Sequence, residues 1–363
     1  MWYKHNFFKY TMGLLLILVN ILLLGKIDFF LVPLRNVLAT IFLPLLISGL
    51  LYYLMRPLVN WITKFKIPRT LAILIGFILL LGLLTLISAS TGTMIASQIS
   101  QLYESLPGFF ELAGEKTVEF FNNGGLSFMP IDELQQQLSS LLQKVVPFVS
   151  NGLISGISVV ANAASALIIV PFFLFYLLKD DKLFHRRMLA IIPERHRDSG
   201  EDILEDVDKT LSTYIIGQAI VALTIGVLMY IGYLILGLDY ALILALFALI
   251  TAFIPILGAF IGIIPAIIVG LTVNPLMALK VLILMIIVQQ LEGNLLSPQI
   301  MGKRMNIHPL TFLILLLVAA SLFGFIGMLI AVPVYAVIKV ISKSFYKLYK
   351  LRKAEKDYCK IDL

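Results

Sequence analysis

The sequence has few of the residues that catalytic and metal centres require. It contains one cysteine, Cys359, and only four histidines, which are scattered along the chain. Neither an intramolecular disulfide nor a Cys/His metal cluster is therefore expected. No G-x-x-x-x-G-K-[ST] loop, H-E-x-x-H or G-x-S-x-G motif occurs, which argues against an ATP-driven pump and against common intramembrane hydrolases. We expect no enzymatic activity, no cofactor and no bound metal.

Charged residues are also scarce. They make up 13% of the 363 residues, whereas 60% are hydrophobic; a soluble domain usually carries about 25% charged residues. The net charge of +7 lies in short loops and the C-terminal tail, which is the distribution that sets membrane topology. The sequence therefore predicts an all-α polytopic membrane protein, with the lipid bilayer as its principal partner and no nucleic-acid partner.

Hydrophobic runs and basic loops divide the chain into six regions. These are an N-terminal three-helix membrane region (1–97), an extracytoplasmic amphipathic segment (98–149), a fourth membrane helix (150–178), a cytoplasmic basic loop with an acidic helix (179–209), a membrane core (210–340) and a basic cytoplasmic tail (341–363). Two helical segments are predicted within 98–149, broken at Pro107-Gly108 and at 122–125. Both termini are expected in the cytoplasm, because the basic residues flank that side of the spans.

An acidic segment, 201–209, is predicted to lead as a helix into the fifth span. Its carboxylates Asp202, Glu205, Asp206 and Asp208 either bind a cation or form a solvated face, and the second is the commoner case. Tyr214 and Gln218 follow on the first turns of the span. We take these two polar side chains as candidate site residues.

Two segments of about 35 residues, 239–273 and 306–340, are too long for simple spans, because a membrane helix needs about 20 residues. Both are almost purely apolar, and both are interrupted near the middle. Proline and glycine at the interruptions predict that each folds into a re-entrant helical hairpin. The candidate turn residues are Pro255, Gly258 and Gly262 in the first segment and Gly324, Gly327 and Pro333 in the second.

The basic residues between these segments favour the hairpins. If both segments cross the membrane once, Lys303 and Arg304 fall outside, against the positive-inside tendency. If both are re-entrant, the two cations and the basic tail lie in the cytoplasm. We therefore predict six full transmembrane helices plus two re-entrant hairpins, arranged as two inverted helix–hairpin units. Eight transmembrane helices, including two long tilted ones, remain the alternative.

The segment 289–310 crowds polar groups against apolar sequence. At helical spacing, Gln289 and Glu292 share one face, and Gln290 and Asn294 lie on the next. A carboxylate at the edge of hydrocarbon is a candidate proton-coupling group, and the amides can bind a cation or a polar solute. The alternative is that these groups only hold helices together.

Polar markers introduce each long segment. Lys303 and Arg304 either bind an anionic solute or lipid headgroup or act as topology signals. His308 either senses protons near neutral pH or caps the second hairpin. Asp239 stands where the first hairpin begins, and an N-cap role explains it equally well.

Ordered motifs carry a resemblance to a known family over nearly the whole chain. They are 175–180 (FYLLKD) with Ile192-Pro193, 214–218 (YIIGQ), 237–241 (GLDYA), 254–258 (IPILG), 290–294 (QLEGN), 298–303 (PQIMGK), His308-Pro309-Leu310 and Ala331-Val332-Pro333. Together they resemble the autoinducer-2 exporter (AI-2E) family of membrane transporters. Tyr240 departs from the pattern, since Pro or another small residue is commoner after the aspartate.

The resemblance implies a protein of the bacterial cytoplasmic (inner) membrane that exports a small polar, autoinducer-2-like solute or exchanges Na⁺ or Li⁺ for protons. Region 210–340 would be its transport core. A non-transporting scaffold or channel-like protein is the alternative. We also expect a homo-oligomer, because short hairpins need protein neighbours to cover them.

Cysteine labelling tests the topology. In a Cys359→Ser background, the hairpin arrangement predicts that an impermeant thiol reagent outside intact cells labels Asn274→Cys and not Met305→Cys. Eight simple spans predict the opposite pattern.

Overall fold

The computed structural model describes residues 6–24, 28–123, 164–190, 192, 194, 197–301 and 308–358. Much of the predicted extracytoplasmic segment, the start of the fourth span, Lys303, Arg304 and Cys359 lie outside these residues. Everything regular in the described chain is helical. The all-α prediction is confirmed at this level.

Eleven α-helices occur in the described residues. They are α1 (Asn6–Leu24), α2 (Asp28–Thr63), α3 (Arg69–Asn123), α4 (Ala164–Lys179), α5 (Asp181–Ala190), α6 (Arg197–Leu236), α7 (Ala241–Thr251), α8 (Leu257–Val273), α9 (Pro275–Leu291), α10 (Ser297–Met301) and α11 (Pro309–Tyr358). A π-helical turn, Glu292–Leu296, joins α9 to α10.

Within the residues that the structure describes, four stretches are long and apolar enough to cross a membrane. They are Thr40–Thr63, Arg197–Leu236, Pro275–Ile300 and Leu310–Ser344. Shorter apolar helices accompany them at Tyr10–Asn20, Arg69–Leu83, Ile169–Lys179, Ala241–Thr251 and Leu257–Val273. Leu, Ile, Val and Phe side chains remain exposed along these helices, as expected where lipid rather than protein covers them.

Helices α3 and α6 are longer than the predicted spans. The acidic segment 201–209 and the fifth span form one helix, α6, as the sequence predicts. The break predicted at Pro107-Gly108 is wrong, because α3 continues through it to Asn123. A proline removes one backbone hydrogen bond, and the remaining bonds of this 55-residue helix keep its course.

Helices α7 and α8 fold back on each other as an antiparallel hairpin. A Cβ atom at Gly258 would collide with the carbonyl oxygen of Thr251, and one at Gly262 would lie 3.1 Å from Cα of Ala248. Contacts between residues at increasing distance on either side of a turn define antiparallel legs. The glycines are therefore required by the close approach of the two backbones.

The turn of this hairpin contains a strained γ-turn. Ile256 has φ 65° and ψ −64°, and the Leu257 amide donates to the Pro255 carbonyl at 2.8 Å. These values define the rare γ-turn with positive φ. Such a conformation is a genuine outlier for a β-branched residue and costs about 1–3 kcal/mol.

Helix α11 also reverses direction. Gly324 has φ 60° and ψ −142°, which no helix accommodates. A Cβ atom at Gly327 would collide with the Ala319 carbonyl, although residues eight apart lie about 12 Å apart in a straight helix. Residues from both sides of the turn, Phe312, Leu316, Ala331 and Val332, also join one buried cluster. The stretch Leu310–Ser344 therefore consists of two packed legs.

Three buried apolar clusters hold these elements together. The first joins α6, the α7–α8 hairpin and α9, and its largest buried side chain is Tyr233. The second joins α2, α3 and α4 around Val59, Ile73 and Leu178. The third joins α2 and α6 to both hairpins, and Ile254 from the first turn is fully buried in it. The first turn and the legs of the second hairpin therefore lie against α6.

Alanine at Gly327 distinguishes a hairpin from a continuous helix. In the hairpin, Gly327→Ala forces a steric overlap and lowers the free energy of unfolding by about 1–3 kcal/mol. The matched control is Gly49→Ala in α2, where a Cβ atom meets nothing within 4 Å and the change stabilises by up to about 1 kcal/mol. Thermal unfolding in detergent micelles measures both. Equal stabilisation by the two substitutions would contradict the hairpin.

Candidate functional site

A π-helical turn interrupts the third candidate span. It covers Glu292–Leu296 and therefore contains Glu292 and Asn294, two of the residues singled out in the sequence. Single π turns inside α-helices occur frequently at functional sites. The sequence analysis missed this turn, because hydrophobic periodicity over five residues does not separate π from α geometry.

The polar side chains on α9 and the π turn form two pairs. The Gln289 amide donates to the Glu292 carboxylate at 2.9 Å, and the Asn294 amide donates to the Gln290 carbonyl at 2.9 Å. The first pair is half-buried, whereas Gln290 and Asn294 are exposed. The pairs thus occupy different faces of the helix, as their spacing predicts.

Gln289 also lines a small internal cavity with room for about one water molecule. The other lining residues come from α6, both legs of the first hairpin and α9, and they are Ile225, Met229, Ala248, Ala259, Ile263, Met285 and Val288. Gln289 is the only polar side chain among them. The Gln289–Glu292 pair therefore connects the π turn to the interior of the first buried cluster.

A second polar contact holds the turn of the first hairpin. The Gln218 amide donates to the Ala252 carbonyl at 2.6 Å, and Gln218 is only 3% exposed. This carbonyl lies where α7 ends, so no further helical turn supplies its hydrogen bond. One helical turn earlier on α6, the buried Tyr214 hydroxyl has no hydrogen-bond partner in the described part of the chain.

The polar residues that precede each hairpin lie at the N-terminal end of its first helix, where backbone amides need hydrogen-bond acceptors. His308 accepts a hydrogen bond from the Leu310 amide at 3.3 Å and stands before a proline at the first helical position, an arrangement typical of a helix start. The N-cap of α7 is Tyr240, with φ 59°, a value closed to proline. Asp239 precedes that cap and is exposed. The side-chain acceptor comes instead from Gln98, which accepts from the Ile243 amide at 3.3 Å.

The candidate turn residues fall into three positions. Pro255 lies in the first turn and Gly324 in the second. Gly258, Gly262 and Gly327 lie where the legs touch. Pro333 is buried inside the second leg and not at its turn. Lys303 and Arg304 lie outside the described residues.

An ionic cluster that the sequence analysis did not predict joins α2, α3, α5 and α6. Arg56 pairs with Asp208 at 2.7 Å and Arg69 pairs with Asp181 at 2.9 Å. The partners are more than 100 residues apart in sequence, so spacing along the chain does not reveal them. The one sequence signal for this cluster was that each of these charged residues stands close to the end of an apolar run. Within the residues that the structure describes, no group of three His, Cys, Asp or Glu side chains is placed to hold a metal ion.

Comparison with known proteins shows wide similarity. Residues 13–347 match the family described as AI-2E family transporter. YueF of Bacillus subtilis (strain 168), named as a candidate transport protein, is 40% identical over 94% of this chain and 94% of its own length. YrrI of the same organism, also named as a candidate transport protein, is 32% identical over 92% and 95%. PerM of Escherichia coli (strain K12), named as a candidate permease, is 26% identical over 82% and 85%.

The apolar spans, the broken helices and these relatives define a multi-pass membrane protein of the transporter class and not an enzyme. Within that class, the chain belongs to the AI-2E family. The family resemblance inferred from the ordered motifs is confirmed.

Removal of the Gln218 side-chain amide tests its role at the first turn. We expect Gln218→Leu to lower the free energy of unfolding by about 1–3 kcal/mol, because the buried Ala252 carbonyl loses its partner. Gln290→Leu is the matched control, since the Gln290 amide is exposed and an exposed substitution changes stability by about 0.5 kcal/mol or less. Thermal unfolding in detergent compares them. Equal stabilities would show that the Ala252 carbonyl has another partner.

Proposed function

We propose that the protein is a secondary carrier that exports a small polar solute or exchanges a monovalent cation for protons. The pathway lies between α6, the first hairpin and α9. The observation that carries the proposal is the Gln289–Glu292 pair on a π turn, with Gln289 lining a cavity formed by both legs of a broken helix pair.

The arrangement of helices around the pathway supports a carrier. On α6, Gly232 packs against Leu284 of α9, whereas Ile225 shares the cavity with Gln289, so the two helices are antiparallel. Each is followed by a helical hairpin. Paired broken helices in inverted units are the means by which many secondary transporters build a site at the membrane midplane. We propose six full spans and two re-entrant hairpins on this basis.

The first turn supplies polar groups without charge. The Gln218 amide donates to the Ala252 carbonyl, and Tyr214, whose hydroxyl is buried, lies one helical turn before Gln218 on α6. Ala252 belongs to the first apolar cluster and Tyr214 to the third. Irregular backbone at membrane depth is tolerated where protein covers it or where it lines a cavity. These groups offer hydrogen bonds to a polar solute or oxygen ligands to a dehydrated cation.

Glu292 is the proposed coupling group. It is half-buried near the end of a candidate span, where an ionisable residue is by default a functional one. Its described hydrogen-bond partner is the neutral amide of Gln289. Loading or releasing one proton or cation at this carboxylate therefore changes the charge beside the cavity by one unit.

We propose a location in the bacterial cytoplasmic (inner) membrane, with both termini in the cytoplasm, and assembly as a homo-oligomer. The basic loops support the cytoplasmic location of both termini. The proposal of a homo-oligomer rests on the short legs of the first hairpin, since α7 has only 11 residues and spans about 16 Å. The unpaired backbone groups at the ends of such a short helix lie within the membrane and need to be covered by neighbouring protein.

Ion flux in proteoliposomes tests the function. We expect purified protein to move protons in response to an imposed Na⁺ gradient, and Glu292→Gln to abolish that movement while keeping the size and hydrogen bonding of the side chain. A pH-sensitive dye inside the vesicles measures the flux. If the substrate is a neutral solute, proton-driven solute uptake replaces Na⁺-linked flux and is lost in the same variant.

The control is Lys280→Gln, which removes an exposed charge from the same helix, α9, and is expected to retain flux. Unchanged flux in a correctly folded Glu292→Gln variant would contradict the coupling role of Glu292. Absence of any gradient-driven transport by folded wild-type protein would contradict the carrier and favour a scaffold.

A further inference from the structure

We propose that the Arg56–Asp208 ion pair is the cytoplasmic gate of the transport pathway, and that Arg56 and Asp208 are positioning residues for transport. The inference rests on the proposed carrier function, because a gate requires a pathway to close. The sequence analysis offers Asp208 only as one of several carboxylates of an acidic helix and does not connect it with Arg56.

The pair forms a direct connection between α2 and α6. One guanidinium nitrogen of Arg56 donates to both carboxylate oxygens of Asp208, at 2.9 and 2.7 Å. The Tyr53 hydroxyl, also on α2, donates to the same carboxylate at 3.3 Å. The Arg56 and Asp208 side chains are 25% and 38% exposed, so the contact reaches water and still lies between the two helices.

The rest of the ionic cluster, centred on Asp181, contacts Arg56 without involving α6. Asp181 accepts from Arg69 at 2.9 Å, from Tyr52 at 2.7 Å, and lies 3.5 Å from Arg56. Arg69 also donates to the Leu178 carbonyl at 2.7 Å. These contacts tie α2, α3, α4 and α5 together. Among the ion pairs of the described residues, only that of Arg56 with Asp208 extends from this group to α6.

The position of Asp208 places the contact on the face of α6 that carries Gln218 and the first turn. Asp208, Leu211, Ile215 and Gln218 follow at helical spacing along one face of α6. Leu211 and Ile215 belong to the third apolar cluster, and so does Tyr53. Gln218 holds the first turn about 15 Å further along the helix. The ion pair therefore covers the end of the α2–α6 seam into which that turn is inserted.

The chemistry of the pair suits a contact that opens and closes. A partly exposed ion pair contributes modestly to stability because solvent screens it and competes for both partners. Opening it leaves two charges in water and not in hydrocarbon. By contrast, Asp181 keeps two cationic partners and a tyrosine hydroxyl, so the anchor remains formed while the connection to α6 breaks.

Thiol accessibility at the turn tests the gate without requiring a substrate. The reporter is Ala252→Cys in a Cys359→Ser background, labelled by an impermeant thiol reagent in inside-out membrane vesicles. Residue 252 is buried, with 4% exposure, so we expect slow labelling of the parent. Asp208→Asn is expected to raise the rate several-fold, and Arg56→Gln likewise, while labelling from the opposite membrane face does not increase.

Two controls separate gating from general loosening. Asp202→Asn removes an equal charge from an exposed position of the same helix, and Arg69→Gln breaks the anchor without touching Asp208. Both are expected to leave the labelling rate near that of the parent. An increase in these controls equal to that in Asp208→Asn would overturn the gate in favour of a purely structural role.

A measurement on the unaltered ion pair covers the case in which Asp208→Asn fails to fold. High salt screens partly exposed charges, so labelling of the parent reporter is expected to accelerate with ionic strength. A rate independent of both Asp208→Asn and salt, in folded protein, overturns the proposal. Gating without gradient-driven flux would retain the gate as that of a channel-like pathway and refute the carrier. Gradient-driven flux with unchanged labelling would retain the carrier and refute the gate.

Discussion

The structure depends on one constraint: a backbone that leaves helical geometry inside a membrane must have its polar groups covered and paired. Each unsatisfied group costs several kcal/mol in hydrocarbon, yet the chain breaks helical geometry at 252–256 and at Gly324. The first break lies against α6, where Ile254 is fully buried in the third cluster, whereas the second break lies at an exposed glycine. The Gln218 amide pairs with the carbonyl that the first break leaves without a helical partner. The helices around α6 can be understood as the cover that the first turn requires.

Close packing around the turns explains the positions of the small residues. The legs of each hairpin meet at a glycine, Gly258 or Gly327, because any side chain there would overlap the opposite backbone. Gly226 and Gly232 serve the same purpose on α6, against Leu249 and Leu284. Small residues at helix contacts are the usual route to tight association in membranes, where lipid is as apolar as the side chains. The Gly226 contact places α6 directly against the first hairpin, and the Gly232 contact places it against α9.

Much of the local structure could be predicted from the sequence, because local signals determine it. Proline and glycine within over-long apolar segments indicated both reversals, and the spacing of Gln289 and Glu292 placed them on one face. The Pro107-Gly108 break failed because a long helix tolerates a single proline. The pairing of Arg56 with Asp208, and the capping of α7 by Gln98, join residues 152 and 145 positions apart. Such pairings depend on tertiary packing, and the periodicity of a single sequence does not reveal which distant residues pack together.

Among the described residues, Asp181 and Asp208 are held in a different way from Glu292, and the difference suits different tasks. Asp181 and Asp208 have arginine partners, which carry donors only, so their contacts are complete only when the carboxylates are ionised. Glu292 has the Gln289 amide, which donates through nitrogen to an ionised carboxylate and accepts through oxygen from a protonated one. Either state of Glu292 therefore keeps a hydrogen bond. A carboxylate that must change its charge during a cycle requires such a partner, whereas one that holds two helices together requires a fixed cation.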